Sequence, residues 1–435
     1  MSAESPISIG LMGLGVVGTG LTRAMVQKAD AVAERVGRPV QVRRALVRDA
    51  SRERDASVSG IEITTDPDRI IAAPDIDIVV ELMGGEEPAH AYISRSLHAR
   101  QHVVTANKEV MAKHGPEVLA HAAEHGVMMR FEASVGGGIP IIGPLMEDLV
   151  GNDITAVNAV INGTTNFMLT RMAKSGIDYG AALEEAAALG YTEADPSADV
   201  DGTDAAYKLA ILSSLAFHTT VRDTDVFREG IRGLAPADFT YAAELGYVVK
   251  LLATSRRVGN ELQARVHPAF LAIDHPLANV DGVYNAVELE GDLVDWAMFQ
   301  GPGAGAEPTA SAVLGDIMAI ARAITSGEAA PSAPAFDAGL AVQSMDQLET
   351  KYYLRLRVHD QPGVMAQITK VLGDLQVSLA SVIQKEAGQS AGDTEIVVTT
   401  HVAREAAVQE AVRKLAALEP VREVANVVRV EDHGV

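Results

Sequence analysis

The chain has 435 residues, 48% hydrophobic and 22% charged, which is enough for roughly three soluble domains. A formal net charge of −22 speaks against nucleic acid or an anionic membrane as partner, although a helix N-terminus can still take a small anion. With no cysteine there is no disulfide framework, thiolate nucleophile or Cys-based metal site. The opening MSAESPISIG lacks the basic and apolar regions of a signal peptide, and no apolar run approaches the ~20 residues of a membrane span, so the cytoplasm is the expected compartment.

Short apolar runs at 7–12, 40–47, 76–82, 102–105 and 127–131 predict strands, with helix-length stretches at 17–35, 88–100 and 116–125 between them. Strand–helix alternation predicts an α/β fold with a parallel, doubly wound Rossmann-type sheet over 1–150. Gly13-Leu14-Gly15-Val16-Val17-Gly18 follows the first strand and opens the first helix, which is where a G-x-G-x-x-G fingerprint binds a dinucleotide. Its glycines serve the turn, the approach of backbone to pyrophosphate, and close helix–strand packing. The second strand ends in Arg48, which suits a 2′-phosphate and favours NADP; Asp49 follows at once, so NAD stays open. Thr105-Ala106-Asn107-Lys108 sits at the carboxyl end of another strand, the edge where such sheets bind ligands. Lys108 is therefore expected to face cofactor or substrate; the alternative is a solvated helix-start lysine. The run from Glu132 through Gly136-Gly137-Gly138 joins a carboxylate to a loop that can turn carbonyls toward a hard cation. A glycine hinge without metal fits the same letters.

From 151 to 300 the pattern is mixed α+β, with helices expected at 167–174, 179–189 and 204–218 and strands at 154–161 and 261–271. Glu193, Asp195, Asp199, Asp201 and Asp204 precede Lys208, the only formal charge in AAYKLAILSSLAFH at 205–218. An ammonium among Ala, Leu and Ile is costly to desolvate unless carboxylates hold it. Asp204, four residues earlier, shares its helix face. An ordinary surface Asp–Lys pair is the alternative, but the acidic loop favours a site that holds an amino-acid ammonium and moves a proton. Asp195 and Asp201 are expected to shape or cap that loop. Gly301-Pro302-Gly303-Ala304-Gly305 precedes a helix expected from about 309, a second place where backbone can approach a ligand. Residues 326–349, rich in Ala, Pro, Ser and Gly as far as 344, read as a linker. Residues 350–435 then follow the order β-α-β-β-α-β of a ferredoxin-like unit.

Taken together, the motifs resemble homoserine dehydrogenase of the bacterial type with a C-terminal ACT domain, over nearly the whole chain. They are GLGVVG, TANKE at 105–109, EASVGGGIPI at 132–141, INGTTNF at 161–167, GYTEADPSADVDGTDAAYK at 190–208 and GPGAGAEPTASAV at 301–313. The resemblance implies NAD(P)-dependent, reversible reduction of L-aspartate 4-semialdehyde to L-homoserine, in threonine, methionine and isoleucine biosynthesis. Lys208 matches the proton donor/acceptor; Glu193, Asp199 and Asp204 match substrate-binding acids, with Lys108 beside cofactor and substrate. Gly190 and a glycine of the loop holding Gly303 and Gly305 match cofactor positions, and 301–325 is expected to pack back on the first domain. Glu132, with main-chain oxygens of Val135, Gly137 and Ile139, resembles a structural sodium site. Residues 151–300 would bind substrate and dimerise. The ACT module, with Asp360-Gln361-Pro362-Gly363 at its first strand–helix turn, implies threonine feedback; an assembly role alone is the alternative. A homodimer or homotetramer is expected, and the linker implies that a cut after Ala330 leaves an active enzyme.

Three rivals are weighed. Aspartate-semialdehyde dehydrogenase needs a cysteine nucleophile, which this chain lacks. Phosphoglycerate dehydrogenase uses a His–carboxylate relay and an inserted cofactor domain, against the fingerprint at Gly13. A non-catalytic sensor of dinucleotide and amino acid has no use for the Asp204–Lys208 pair.

Overall fold

The computed structural model describes residues 5–385 and 392–431; the first four residues of the N-terminal stretch read above lie outside it. By contacts the chain forms two compact units, one of 1–157, 207–226 and 284–340, the other of 158–206, 227–283 and 341–435.

The first unit is built on six parallel strands: β1 (Ile7–Met12), β2 (Val40–Leu46), β3 (Glu62–Thr64), β4 (Ile78–Glu81), β5 (His102–Thr105) and β6 (Met129–Arg130). Their order is β3-β2-β1-β4-β5-β6, the dinucleotide-binding arrangement, with the change of direction between β1 and β4. Every residue of β1 is buried, as a central parallel strand covered on both faces requires. Helices α1 (Val16–Gln27), α2 (Ala29–Val36), α3 (Ala89–His98) and α4 (Lys108–Glu124) connect the strands. Helix Ala306–Ser326 joins this core through Ala310, Val313, Ile317 and Ile320, packed with Leu21 and Met25 of α1.

Several local expectations shift. The stretch at 17–35 is two helices, broken at Lys28. Helix α4 starts at Lys108, not at Pro116: the Asn107 side chain accepts from the Val110 N–H and caps it there, and Pro116 sits inside. The later helix starts at Ala306, not 309, and runs through Ser326 into the linker region. The hairpin Tyr284–Gly291 and Asp295–Pro302, absent from the sequence reading, belongs to the first unit.

In the second unit, Tyr247–Val258, also missed, pairs antiparallel with Glu261–Ala272. Ala341–Val342, inside the expected linker, adds beside Glu261–Leu262. The C-terminal module runs Glu349–His359, Val364–Asp374, Leu379–Gln384, Asp393–Thr400, Glu405–Ala416 and Val421–Glu431, the expected β-α-β-β-α-β order. Its own core includes Leu354, Leu356, Ile368, Val398, Val408 and Leu415. It is not a detached bead: Ala269–Leu271 pair in parallel with Arg429–Glu431, continuing the sheet. Arg355 donates from Nε to Oδ1 of the wholly buried Asp238 at 2.7 Å, and Tyr353 and Asn426 donate to the same carboxylate.

Candidate active site

Gly13 follows β1 with φ +101, and a β-carbon there would stand 2.7 Å from the Leu82 carbonyl that follows β4. Gly18, in the first turns of α1, has no room for a side chain because the Gly13 carbonyl faces it. Gly15 differs. It caps α1 and meets nothing within 4 Å, which leaves open space over a helix N-terminus. Val16 beside it is 74% exposed. A β-carbon on Gly20 would lie 2.8 Å from the Ala306 carbonyl, so the second glycine-started helix begins alongside α1. Two helix N-termini thus face one edge, the polarity a pyrophosphate needs.

Glu81, which closes β4, was not singled out in the sequence. It is fully buried, accepts from the Thr105 hydroxyl at 2.6 Å and from Met83 and Gly84 N–H groups, and burial raises its carboxyl above the usual range. Asn107 donates to the Gly85 carbonyl at 2.7 Å. These bonds fix the loop after β4 against the TANKE turn that carries Lys108. A charge closing the apolar run Ile78-Val79-Val80 was the available signal. Lys108 is half-buried at the N-terminus of α4, where the helix dipole disfavours a cation; an anionic ligand would offset that. Arg48 is exposed just past β2, while the Asp49 carboxylate accepts from the N–H and hydroxyl of Ser51 at 2.8 and 2.6 Å. Asp49 is thereby tied to its own turn.

Glu132 accepts from the N–H groups of Ile141, Ile142 and Gly143 at 2.6–2.8 Å. A carboxylate has about four acceptor positions, so one remains for a further donor or a cation. Gly136 and Gly137 are both left-handed (φ +71 and +58), and Gly137 lies against Gly303, which is buried; Gly138 N–H donates to the Pro302 carbonyl. Gly305, with φ +121, caps helix Ala306–Ser326. A cavity of about 630 Å³ opens beside Glu132 and Asp316 under Pro331 and Pro334. Neither the fingerprint nor Lys208 lines it. Desolvation pushes the Asp316 carboxyl up to about 7, against the N–H that Glu132 donates to it at 2.9 Å.

Asp204 and Lys208 stand one turn apart on helix Thr203–Ala216, 4% and 8% exposed. Tyr207, between them, faces the Lys113 ammonium of α4 at 5.8 Å. In the second unit Asn162 organises the acids: its amide donates to Asp199 at 2.7 Å and to Asp204 at 2.9 Å, while its oxygen accepts from the Thr165 N–H and caps helix Gly163–Ser175. Asn162 lies in the INGTTNF motif, whose neighbouring letters assign it no role. Glu193 is exposed on the same acidic loop, and Gly190 turns that loop with φ +75. Asp195 accepts from Ser197 N–H, and Asp201 is gripped by both ends of the Arg232 guanidinium, so these two are structural. Gly363, with φ +91, starts helix Val364–Asp374 with nothing within 4 Å, and Asp360 N–H donates to the Gly392 carbonyl beside it.

Known proteins match this arrangement throughout. Residues 13–132 match the NAD binding domain of homoserine dehydrogenase, 140–318 the homoserine dehydrogenase family, and 352–420 the ACT domain. A homoserine dehydrogenase of Synechocystis sp. is 44% identical over 98% of this chain and 99% of its own length. The crystal structure of a homoserine dehydrogenase from Thiobacillus denitrificans has TM-score 0.93 at 42% identity, covering 99% of both chains. A hyperthermophilic archaeal homoserine dehydrogenase in complex with NADPH has TM-score 0.62 at 30% identity, covering 72% of this chain and 97% of that one. The fingerprint and its sheet make this a nicotinamide-dinucleotide enzyme, as the sequence led one to expect. The chain is an oxidoreductase belonging to the homoserine dehydrogenase family, with an ACT domain at its C-terminal end.

Proposed function

We propose that the chain catalyses reversible NADP-linked reduction of L-aspartate 4-semialdehyde to L-homoserine in threonine, methionine and isoleucine biosynthesis, with Lys208 as proton donor and acceptor. The observation that carries this is the Asn162 amide drawing Asp199 and Asp204 together one helical turn before a buried lysine. Carboxylates so held answer a substrate α-ammonium, with Glu193 as a third acid at the exposed end; Lys108 answers the α-carboxylate or the cofactor. When bound, the nicotinamide supplies or accepts the hydride at the carbonyl carbon. Lys208 donates a proton to the oxygen as it becomes an alkoxide, and takes it back in the oxidation direction. Dinucleotide phosphates would lie over Gly13–Gly18, with Gly190, Gly303 and Gly305 lending backbone approach. The exposed Arg48 just past β2 supports NADP over NAD.

A monovalent cation such as Na⁺ fits the donor set of Glu132 and the main-chain oxygens of Val135, Gly137 and Ile139, all hard oxygens, with one acceptor position left on Glu132. It would brace the glycine loops without touching substrate. The open helix start at Gly363, with Asp360 beside it, supports an amino-acid effector, L-threonine, on the ACT domain. We divide the chain functionally at 1–150 (with 301–325), 151–300, 326–349 and 350–435, and expect a cytoplasmic homodimer or homotetramer. The test is steady-state consumption of NADPH with aspartate semialdehyde. Binding of both ligands without turnover would instead identify a sensor.

A further inference from the structure

Five of the twelve histidines lie on the α3–α4 pair: His90, His98, His114, His121 and His125. We propose that His98, His121 and His125 form a site for a divalent transition-metal ion of the Zn²⁺ class, which ties the C-terminal ends of these two helices together. His98 is the last residue of α3, His121 lies in the last turn of α4, and His125 caps it. One ring nitrogen from each lies within 4.8 Å of the others. The rings are inclined to one another by 50–76°, so their lone pairs can converge on one point. Zn–N bonds of about 2.0–2.1 Å put tetrahedral ligand nitrogens roughly 3.4 Å apart, a closure that side-chain rotation supplies.

Two further features favour a cation there. The Nδ1 of His125 lies 3.0 Å from the main-chain oxygen of His121 and donates to it, which leaves Nε2 with its lone pair and fixes the ring. Backbone partners of this kind orient metal-binding imidazoles. Both helices also end here, and their C-terminal ends carry the negative end of the helix dipole. The other histidine group on this pair is built differently. His90 and His114 stack face to face at 3.9 Å, with lone pairs running side by side, and His114 Nε2 already meets Glu86 at 2.9 Å.

Three imidazoles leave a fourth position to water. Chain direction puts the site at the amino ends of β5 and β6, away from the cofactor edge; His121 is about 20 Å along α4 from Lys108. The ion is therefore a staple and takes no part in hydride transfer.

The test titrates untagged, metal-stripped full-length protein with ZnCl₂ by calorimetry, and with CoCl₂ by its visible absorption. One saturable equivalent, a raised Tm and unchanged kcat are expected. Losing even an outer partner of a metal ligand typically weakens binding ~10–100-fold. His98→Ala and His121→Ala should therefore each weaken binding by at least ~10-fold, and His90→Ala should leave it unchanged. The site is overturned if no equivalent binds, if either ligand variant binds as the parent does, or if His90→Ala removes the binding.

Discussion

The main-chain oxygen of Gly303 lies 2.5 Å from the point where a β-carbon on Gly137 would stand. The two loops thus meet backbone to backbone, and Gly137 also holds φ +58, which L-residues rarely adopt. Gly137→Ala should force the loops apart and cost at least ~1 kcal/mol of stability. Gly15→Ala should behave oppositely. Its space is open, so the fold should keep its Tm while NADPH affinity falls, because the methyl would occupy the room a pyrophosphate needs. Thermal melts and a cofactor titration on both variants separate the cases; a Gly15→Ala protein with parental NADPH affinity would move the cofactor elsewhere.

Lys208→Ala should lower kcat by ~10²–10⁴-fold, the usual worth of one general acid, with NADPH binding close to normal. Lys208 is 8% exposed, one turn along its helix from Asp204. A variant that turns over at nearly the parental rate would make this lysine a structural partner of the acidic loop.

Arg48→Ala should weaken NADPH far more than NADH. Only NADPH carries the 2′-phosphate, and Arg48 stands exposed just past β2, where an arginine can pair with it. Measuring both dissociation constants decides it, since equal losses would place Arg48 outside the ribose site.

What the sequence made legible was local. The glycine fingerprint, the apolar run of β1 and the β-α-β-β-α-β periodicity each depend on residues a few positions apart, and each stands in the structure. Strand Tyr247–Val258 was missed because Lys250 interrupts its apolar run. That lysine is 3% exposed, and its partners lie far along the chain: Val280 and Asp281, some thirty residues on, and Asn166, 84 residues before it. Pro116 read as a helix start because proline favours the first turn, whereas the cap that starts α4 is Asn107. Asn162 could not be given its role because its acids lie 37 and 42 residues away. Lys208 was legible for the opposite reason: it is the only formal charge from 205 to 218, which is conspicuous from sequence alone.

Asp316 gives a pH prediction. Its carboxyl is raised from 3.8 to about 7 by burial. The folded protein therefore holds this proton more tightly than the unfolded chain. Stability from this group is fully present below pH 3.8 and is lost as pH rises to about 7. Asp316→Asn keeps an oxygen for the Glu132 N–H and cannot ionise. Its stability relative to the parent should rise between these limits, by ~4 kcal/mol at most above pH 7. Chemical denaturation of both proteins at pH 5 and pH 8 reads the difference, and an equal gap at both values would rule the effect out.

Cutting the chain after Ala330 tests the ACT domain, and the structure reverses the expectation that the linker raised. Strand Val421–Glu431 pairs with Ala269–Leu271, whose Ala269, Phe270 and Leu271 are wholly buried; its removal bares an apolar sheet edge. Asp238, also wholly buried, would lose Arg355, Tyr353 and Asn426 together. Breaking a buried pair by removing one partner costs roughly 3–5 kcal/mol. The truncated chain should therefore aggregate or melt well below the full-length protein. Adding Asp238→Asn to the cut should recover part of the loss, since the stranded charge is gone. Within the full chain, Arg355→Met should destabilise for the same reason, and Asp238→Asn in that background should restore some of it. A soluble truncated enzyme with parental kcat and Tm would show the sheet junction and the Asp238 cluster to be dispensable.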